Sequence, residues 1–169
     1  MNLSFFKNLK SPYVLILVGT PLAGKSFFCN SFIKEINPDI DIISRDQILL
    51  DVHGSDDYNA AFSSVNQKEV DKKLISEFSR LSREGKNVIV DMTHMTSKRR
   101  RYNLSFFGKE YYKLAVIFPI LTEEQYAERN KKRTLEENKS IPLHVLRSMI
   151  SSYQPISSSE GFNHTISIK

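Results

Sequence analysis

Gly19-Thr20-Pro21-Leu22-Ala23-Gly24-Lys25-Ser26 lies between an apolar run at 13–18 and an amphipathic segment that opens with Phe27-Phe28. The order strand, glycine-rich loop, helix wraps backbone N–H groups around the phosphates of a nucleotide and adds the positive end of a helix dipole. Gly24 lets the backbone come close. Lys25 can reach the β and γ phosphates as a point charge, and the Ser26 hydroxyl is placed to hold Mg²⁺ against the same oxygens. With Gly19, Thr20, Pro21, Leu22 and Ala23 completing the loop, the expected ligand is a nucleoside triphosphate. The loop does not choose the reaction.

Outward from the loop, strand-like and helix-like segments alternate. Strands are expected at 13–18, 40–44, 88–91, 113–120 and 165–168, the first and third as continuous apolar runs of the kind buried on both faces of a parallel sheet. Between them the spacing predicts helices at 25–36, 47–50 and 65–84. The last of these carries Val70, Leu74, Ile75, Phe78 and Leu81 on one face and stops at Gly85. A polar loop is expected at 54–59, and a basic helix at 97–107 contains Lys98-Arg99-Arg100-Arg101. Thr122 and Gln125 have the spacing of a capping box for a helix running to Lys132. A polar segment at 134–140 follows, and Ile141-Pro142 opens a helix with Val145, Leu146, Met149 and Ile150 inward. The pattern predicts an α/β fold, a parallel sheet flanked by helices with a helical lid.

The chain of 169 residues, 40% hydrophobic and 25% charged, suits one domain over residues 1–169. A net charge of +5 fits a polyanionic partner. Cys29 is the only cysteine, so there is neither a disulfide framework nor metal-ligand spacing, and a reducing cytoplasm is the expected setting. The first ten residues lack the features of an export signal, and no apolar run has the length to cross a bilayer; no membrane partner is expected.

Asp46 and Asp91 stand where the second and third strands end, the edge at which open parallel sheets gather ligands. Phosphoryl transfer to a hydroxyl needs a carboxylate to accept its proton, and Asp46 suits that role, with Arg45 beside it to hold an acceptor phosphate. Asp46 is alternatively the N-cap of the short helix that follows. Asp91 lies where an acid would order the water around Mg²⁺ or the loop beyond. Met92 cannot position a hydrolytic water, which favours a kinase over an ATPase. No Asn-Lys-x-Asp guanine-reading sequence is present. Arg129 and Arg133, four apart, can clamp phosphate oxygens from one helix face. In the run of four cations at 98–101 some are expected to coat the surface, and others can steer a nucleic acid strand. His94 is expected to line the site as a polar residue.

These motifs resemble the bacteriophage polynucleotide 5′-kinase/3′-phosphatase family and the P-loop kinases related to it. Gly19 through Ser26 matches its phosphate loop; Ser44-Arg45-Asp46 is similar to its Asn/Ser-Arg-Asp; and Asp91-Met92-Thr93-His94 resembles its Asp-x-Thr-Asn turn. Arg129-Asn130 with Arg133 resembles its lid, and residues 141–149 resemble its post-lid helix. The resemblance implies ATP and Mg²⁺ as ligands, with Asp46 as general base and Lys25 and Arg129 acting on the phosphates. It also implies Arg45, Asp91 and Thr93 on the acceptor side, and a DNA or RNA strand with a 5′-OH as acceptor. The chain departs from the pattern at Leu49, where an acceptor-contacting arginine stands in the family, and at Asp91, one position early. Asp39-Ile40-Asp41 is an incomplete echo of a phosphatase motif. A kinase for another hydroxyl, on a hydroxymethylated base or a nucleoside, and a nucleotide-dependent binding module without transfer remain the alternatives.

Overall fold

The computed structural model describes residues 3–137 and 139–168. Met1, Asn2 and Lys169 of the expected domain and Asn138 of the expected polar segment lie outside them. Five parallel strands form one sheet in the order β2-β3-β1-β4-β5, with β1 Tyr13–Val18, β2 Asp41–Ser44, β3 Val88–Asp91, β4 Tyr112–Ile117 and β5 His164–Ser167. The central strand β1 is buried along its whole length. Its period-two alternation divides the interior. Val14, Ile16 and Val18 join a core with Val88, Val90 and Ala115, while Tyr13, Leu15 and Leu17 join a second core with Ile89, Leu114 and Val116.

Helices close both faces. On the first, α4 (Gln67–Arg83) lays down Val70, Leu74, Phe78 and Leu81, and α2 (Arg45–His53), α3 (Tyr58–Ser64) and α5 (Ser97–Leu104) add Ile48, Leu49, Ala61 and Leu104. On the second, α1 (Lys25–Glu35) contributes Phe28 and Phe32, which meet Phe6 of a 3₁₀ turn at Ser4–Asn8. Each such buried side chain contributes about 1.5–3 kcal/mol of transfer free energy. A helical pair, α6 (Glu123–Glu137) and α7 (Leu143–Ser151), has its own small core of Leu121, Tyr126 and Leu146.

Several boundaries differ from the sequence expectation, and short polar side chains account for most of them. The helix expected at 65–84 forms as α4, starting at Gln67, and a separate helix, α3, precedes it. Asp57 accepts from the Ala60 N–H at 3.0 Å and Asn66 accepts from Lys68 at 3.0 Å, so each starts a helix of its own and Val65 between them is extended. The polar loop at 54–59 therefore already contains the start of α3. Ile75, expected inward, is exposed. The helix after β2 starts at Arg45 because Ser44 caps it, accepting from the Gln47 N–H at 3.4 Å. Asp46 is thus in the first turn and is not the cap. β4 ends at Ile117, ahead of Pro119, which has no N–H to give a ladder. The Thr122–Gln125 capping box forms with bonds of 3.1 and 3.3 Å, but α6 runs beyond Lys132 to Glu137.

Candidate active site

The phosphate loop is built on two glycines with different duties. A Cβ on Gly19 would stand 2.8 Å from the Phe118 Cβ, so the loop can leave β1 only with no side chain there. Gly24 takes φ +103°, a conformation that turns the chain into α1 and penalises any L side chain. Leu22 is also left-handed, at φ +63°, and packs against the α6–α7 core. The Gly19 N–H donates to the Thr93 carbonyl at 2.9 Å, tying the loop to the segment after β3. The Lys25 ammonium is buried, donating to the carbonyls of Thr20 at 2.7 Å and Gly19 at 3.2 Å. Burial holds its pKa below the ordinary lysine value, opposed by Asp91 and Asp46. Ser26, next in α1, is exposed.

Sheet register brings the acids to the same edge. Ser44 pairs with Asp91 across β2 and β3, which sets Asp46 and Asp91 on neighbouring chain segments. Burial raises the Asp91 carboxyl, Lys25 works against that rise, and Asp46 adds to it. Asp46 is exposed and accepts a hydrogen bond from the Tyr58 hydroxyl at 3.2 Å. Burial first, and then Asp46, push that phenol up to about 12, so Tyr58 stays a donor. Arg45 donates to Gln67 at 2.8 Å and to Asp71 at 3.2 Å, both in α4. Thr93 is half-buried beside the phosphate loop. Leu49, by contrast, is 1% exposed and belongs to the core.

From α6, Arg129 donates to the Leu22 carbonyl at 2.9 Å, reaching the phosphate loop itself. Arg133 bears electrostatically on both Lys25 and Tyr58. Asn130 receives the Ile141 N–H and donates to the Ile141 carbonyl, both at 3.0 Å, which locks the turn into α7. Lys139 lies over the Tyr58 ring at 4.4 Å, so the helical pair spans the site from the loop to α3. Tyr58 is not singled out by the sequence. Tyr58 sat in a presumed loop, and the Asp57 cap was the signal that could have found it.

Two expectations change. Arg100 of the cationic run is fully buried in an ion pair with Glu160, so it cannot meet a strand. His94 does not line the site: it is 1% exposed, at φ +47°, with Nδ1 2.8 Å from the Leu17 carbonyl and Nε2 2.8 Å from the Asn103 amide. Cys29 is buried, and burial pushes its thiol up to about 12, which leaves it inert.

The donor set fits Mg²⁺. Among the described residues no three acidic, histidine or cysteine side chains cluster as a metal cage, and Mg²⁺ with a nucleotide uses phosphate oxygens, water and one or two protein oxygens. Ser26, exposed in the first turn of α1, would be the residue to supply one.

A parallel five-stranded sheet, a glycine loop off its central strand and a helical pair over that loop define a P-loop kinase fold. The family described as AAA domain matches residues 14–156, and the chain belongs to it. No curated protein matches it by sequence. Among solved structures it is similar to a chain of the Pnkp1/Rnl/Hen1 RNA repair complex, with TM-score 0.69 and 23% identity, over 86% of this chain and 45% of that one. It is similar also to a chain of the PezAT chromosomal toxin-antitoxin system of Streptococcus pneumoniae, with TM-score 0.59 and 21% identity, over 84% and 58%. A gluconokinase from Sinorhizobium meliloti 1021 matches with TM-score 0.55 and 9% identity, over 95% and 83%. The chain spans less than half the length of the repair-complex chain. Identities at this level show a shared fold. Among the described residues no helix is long and apolar enough to cross a membrane.

Proposed function

We propose that the protein is an ATP-dependent polynucleotide 5′-hydroxyl kinase, moving the γ-phosphoryl of ATP to the 5′-OH of a DNA or RNA strand. The observation that carries phosphoryl transfer is the Lys25 ammonium, buried and bonded only to loop carbonyls among the described residues, with Asp46 across the site. A desolvated cation that hydrogen-bonds only to carbonyls, with Asp91 and Asp46 near but not bonded to it, favours an anion at the loop. Residues 19–26 wrap the donor phosphates, and Lys25, Arg129 and Arg133 balance their charge. Mg²⁺, held through Ser26, would neutralise charge on the donor phosphates. Asp46 takes the proton of the attacking hydroxyl while its oxygen bonds to the γ-phosphorus and ADP leaves. Tyr58 fixes the carboxylate by its 3.2 Å hydrogen bond. Arg45, Asp91 and Thr93 line the acceptor side. The strand as acceptor is supported by the motif resemblance and by likeness to a chain of an RNA repair complex.

The test offers γ-labelled ATP with 5′-OH DNA, 5′-OH RNA, hydroxymethyl-base DNA and nucleosides. Label on the 5′-terminal nucleotide of a strand is expected; label confined to a base or to free nucleosides overturns the acceptor. Asp46→Asn preserves shape and removes basicity, so ATP binding should persist while transfer slows about 10² to 10⁴-fold. A variant within about tenfold of wild type would sink the general-base role.

A further inference from the structure

Beside Arg45, one residue before Asp46, a cleft of about 360 Å³ opens between α4 and α5. Such a volume lies within the range of small-ligand clefts, about 300–1,000 Å³. Asp71, Ile75 and Phe78 of α4 line it, and Arg99 and Tyr102 of α5 face them. Charges on the two sides are not equivalent. Asp71 already accepts from Arg45 at 3.2 Å, whereas the Arg99 guanidinium has no ion-pair partner among the described residues; its backbone N–H meets Thr96 Oγ1 at 3.3 Å. Tyr102 lies three residues on, on the same helix face, and is 48% exposed. Its ring stands edge-on to Phe106 with centroids 5.4 Å apart, which fixes its orientation. Ile75, against the helical pattern, leaves further apolar surface at 41% exposure.

An unpaired guanidinium, a fixed half-exposed ring and an apolar floor in one groove match a ligand that alternates phosphates with flat bases. An acidic peptide supplies the charge but not the flat faces. We propose that this groove holds the acceptor strand just beyond its 5′ end, with a phosphate on Arg99 and a base against Tyr102. The assignment rests on the proposed strand kinase and gives it a reason to prefer strands: a free nucleoside leaves the groove empty.

The experiment is fluorescence anisotropy with 5′-OH DNA and RNA oligonucleotides of roughly eight nucleotides, labelled at the 3′ end, long enough to pass the site and enter the groove. Arg99→Ala should weaken binding about tenfold at low salt and flatten the salt slope by about 0.7, the loss of one phosphate contact on a single strand. Tyr102→Ala should weaken it by about 5- to 150-fold, the range for one stacked base, and Tyr102→Phe should retain it. Arg101→Ala, outside the cleft, should cost less than Arg99→Ala, and polyglutamate should not displace the strand. Affinity within about twofold of wild type in both alanine variants, or displacement by polyglutamate, overturns the groove. The two readings fail separately. Transfer to a 5′-OH strand with unchanged affinity in the variants removes the groove and leaves the kinase. Binding lost in the variants without any transfer removes the kinase and leaves the groove.

Discussion

Lys25 and His94 are both buried cations-in-waiting, and their surroundings give them opposite fates. Lys25 lies on two carbonyls at the mouth of the phosphate loop, where an arriving anion repays its desolvation. His94 is sealed below the site, and its two ring nitrogens are committed: Nδ1–H donates to Leu17, so Nε2 must accept from Asn103. Burial lowers its pKa to about 4. The unfolded chain takes up this proton near pH 6.5, and the folded protein resists it until about pH 4. The contribution is therefore complete above pH 6.5 and is lost as the pH falls from there towards 4, a change on the order of 3 kcal/mol. Urea unfolding across that window should show wild type losing about one proton's worth of slope more than His94→Asn, a residue that tolerates the left-handed backbone. Identical slopes would mean that His94 is not held neutral.

At the scale of elements, one ion pair fastens the turn before β5 to α5. Arg100 of α5 gives a fork to Glu160, 2.7 Å from Nε and 2.7 Å from Nη2, and its remaining donors reach the carbonyls of His94 at 3.0 Å and Gln154 at 2.8 Å. Glu160 in turn accepts from the Ser157 N–H at 3.1 Å, closing a capping box on the 3₁₀ turn Ser158–Glu160. Removing one partner of such a pair leaves the other charged and dry. Glu160→Gln should cost about 3–5 kcal/mol in denaturant unfolding, and Arg101→Ala, on the exposed side of α5, should cost within about 0.5 kcal/mol. A loss below about 1 kcal/mol for Glu160→Gln would show that the pair does not fasten the turn. Four adjacent cations on a helix point in four directions; which of them faces inward depends on a glutamate 60 residues away, and local sequence cannot report that.

For the whole molecule, a net charge of +5 makes association with a strand sensitive to salt. KM for a 5′-OH oligonucleotide should climb steeply between roughly 50 and 200 mM salt while KM for a nucleoside changes little, since only the strand brings phosphates beyond the reacting end. Parallel salt curves in steady-state assays would favour a small-molecule acceptor. The sequence alone determined the parallel α/β sheet, the phosphate loop, the strand ends that carry Asp46 and Asp91, and the capping box before the helical pair, because each rests on a local period, a cap or a short motif. Tertiary structure decided what depends on distant partners. It left Ile75 exposed, sent Arg100 and His94 into the interior, brought Tyr58 onto Asp46 and Arg129 onto the Leu22 carbonyl, and opened the cleft between α4 and α5. Burial and pairing are set by whichever element packs opposite, and that neighbour is chosen by the assembled fold as a whole.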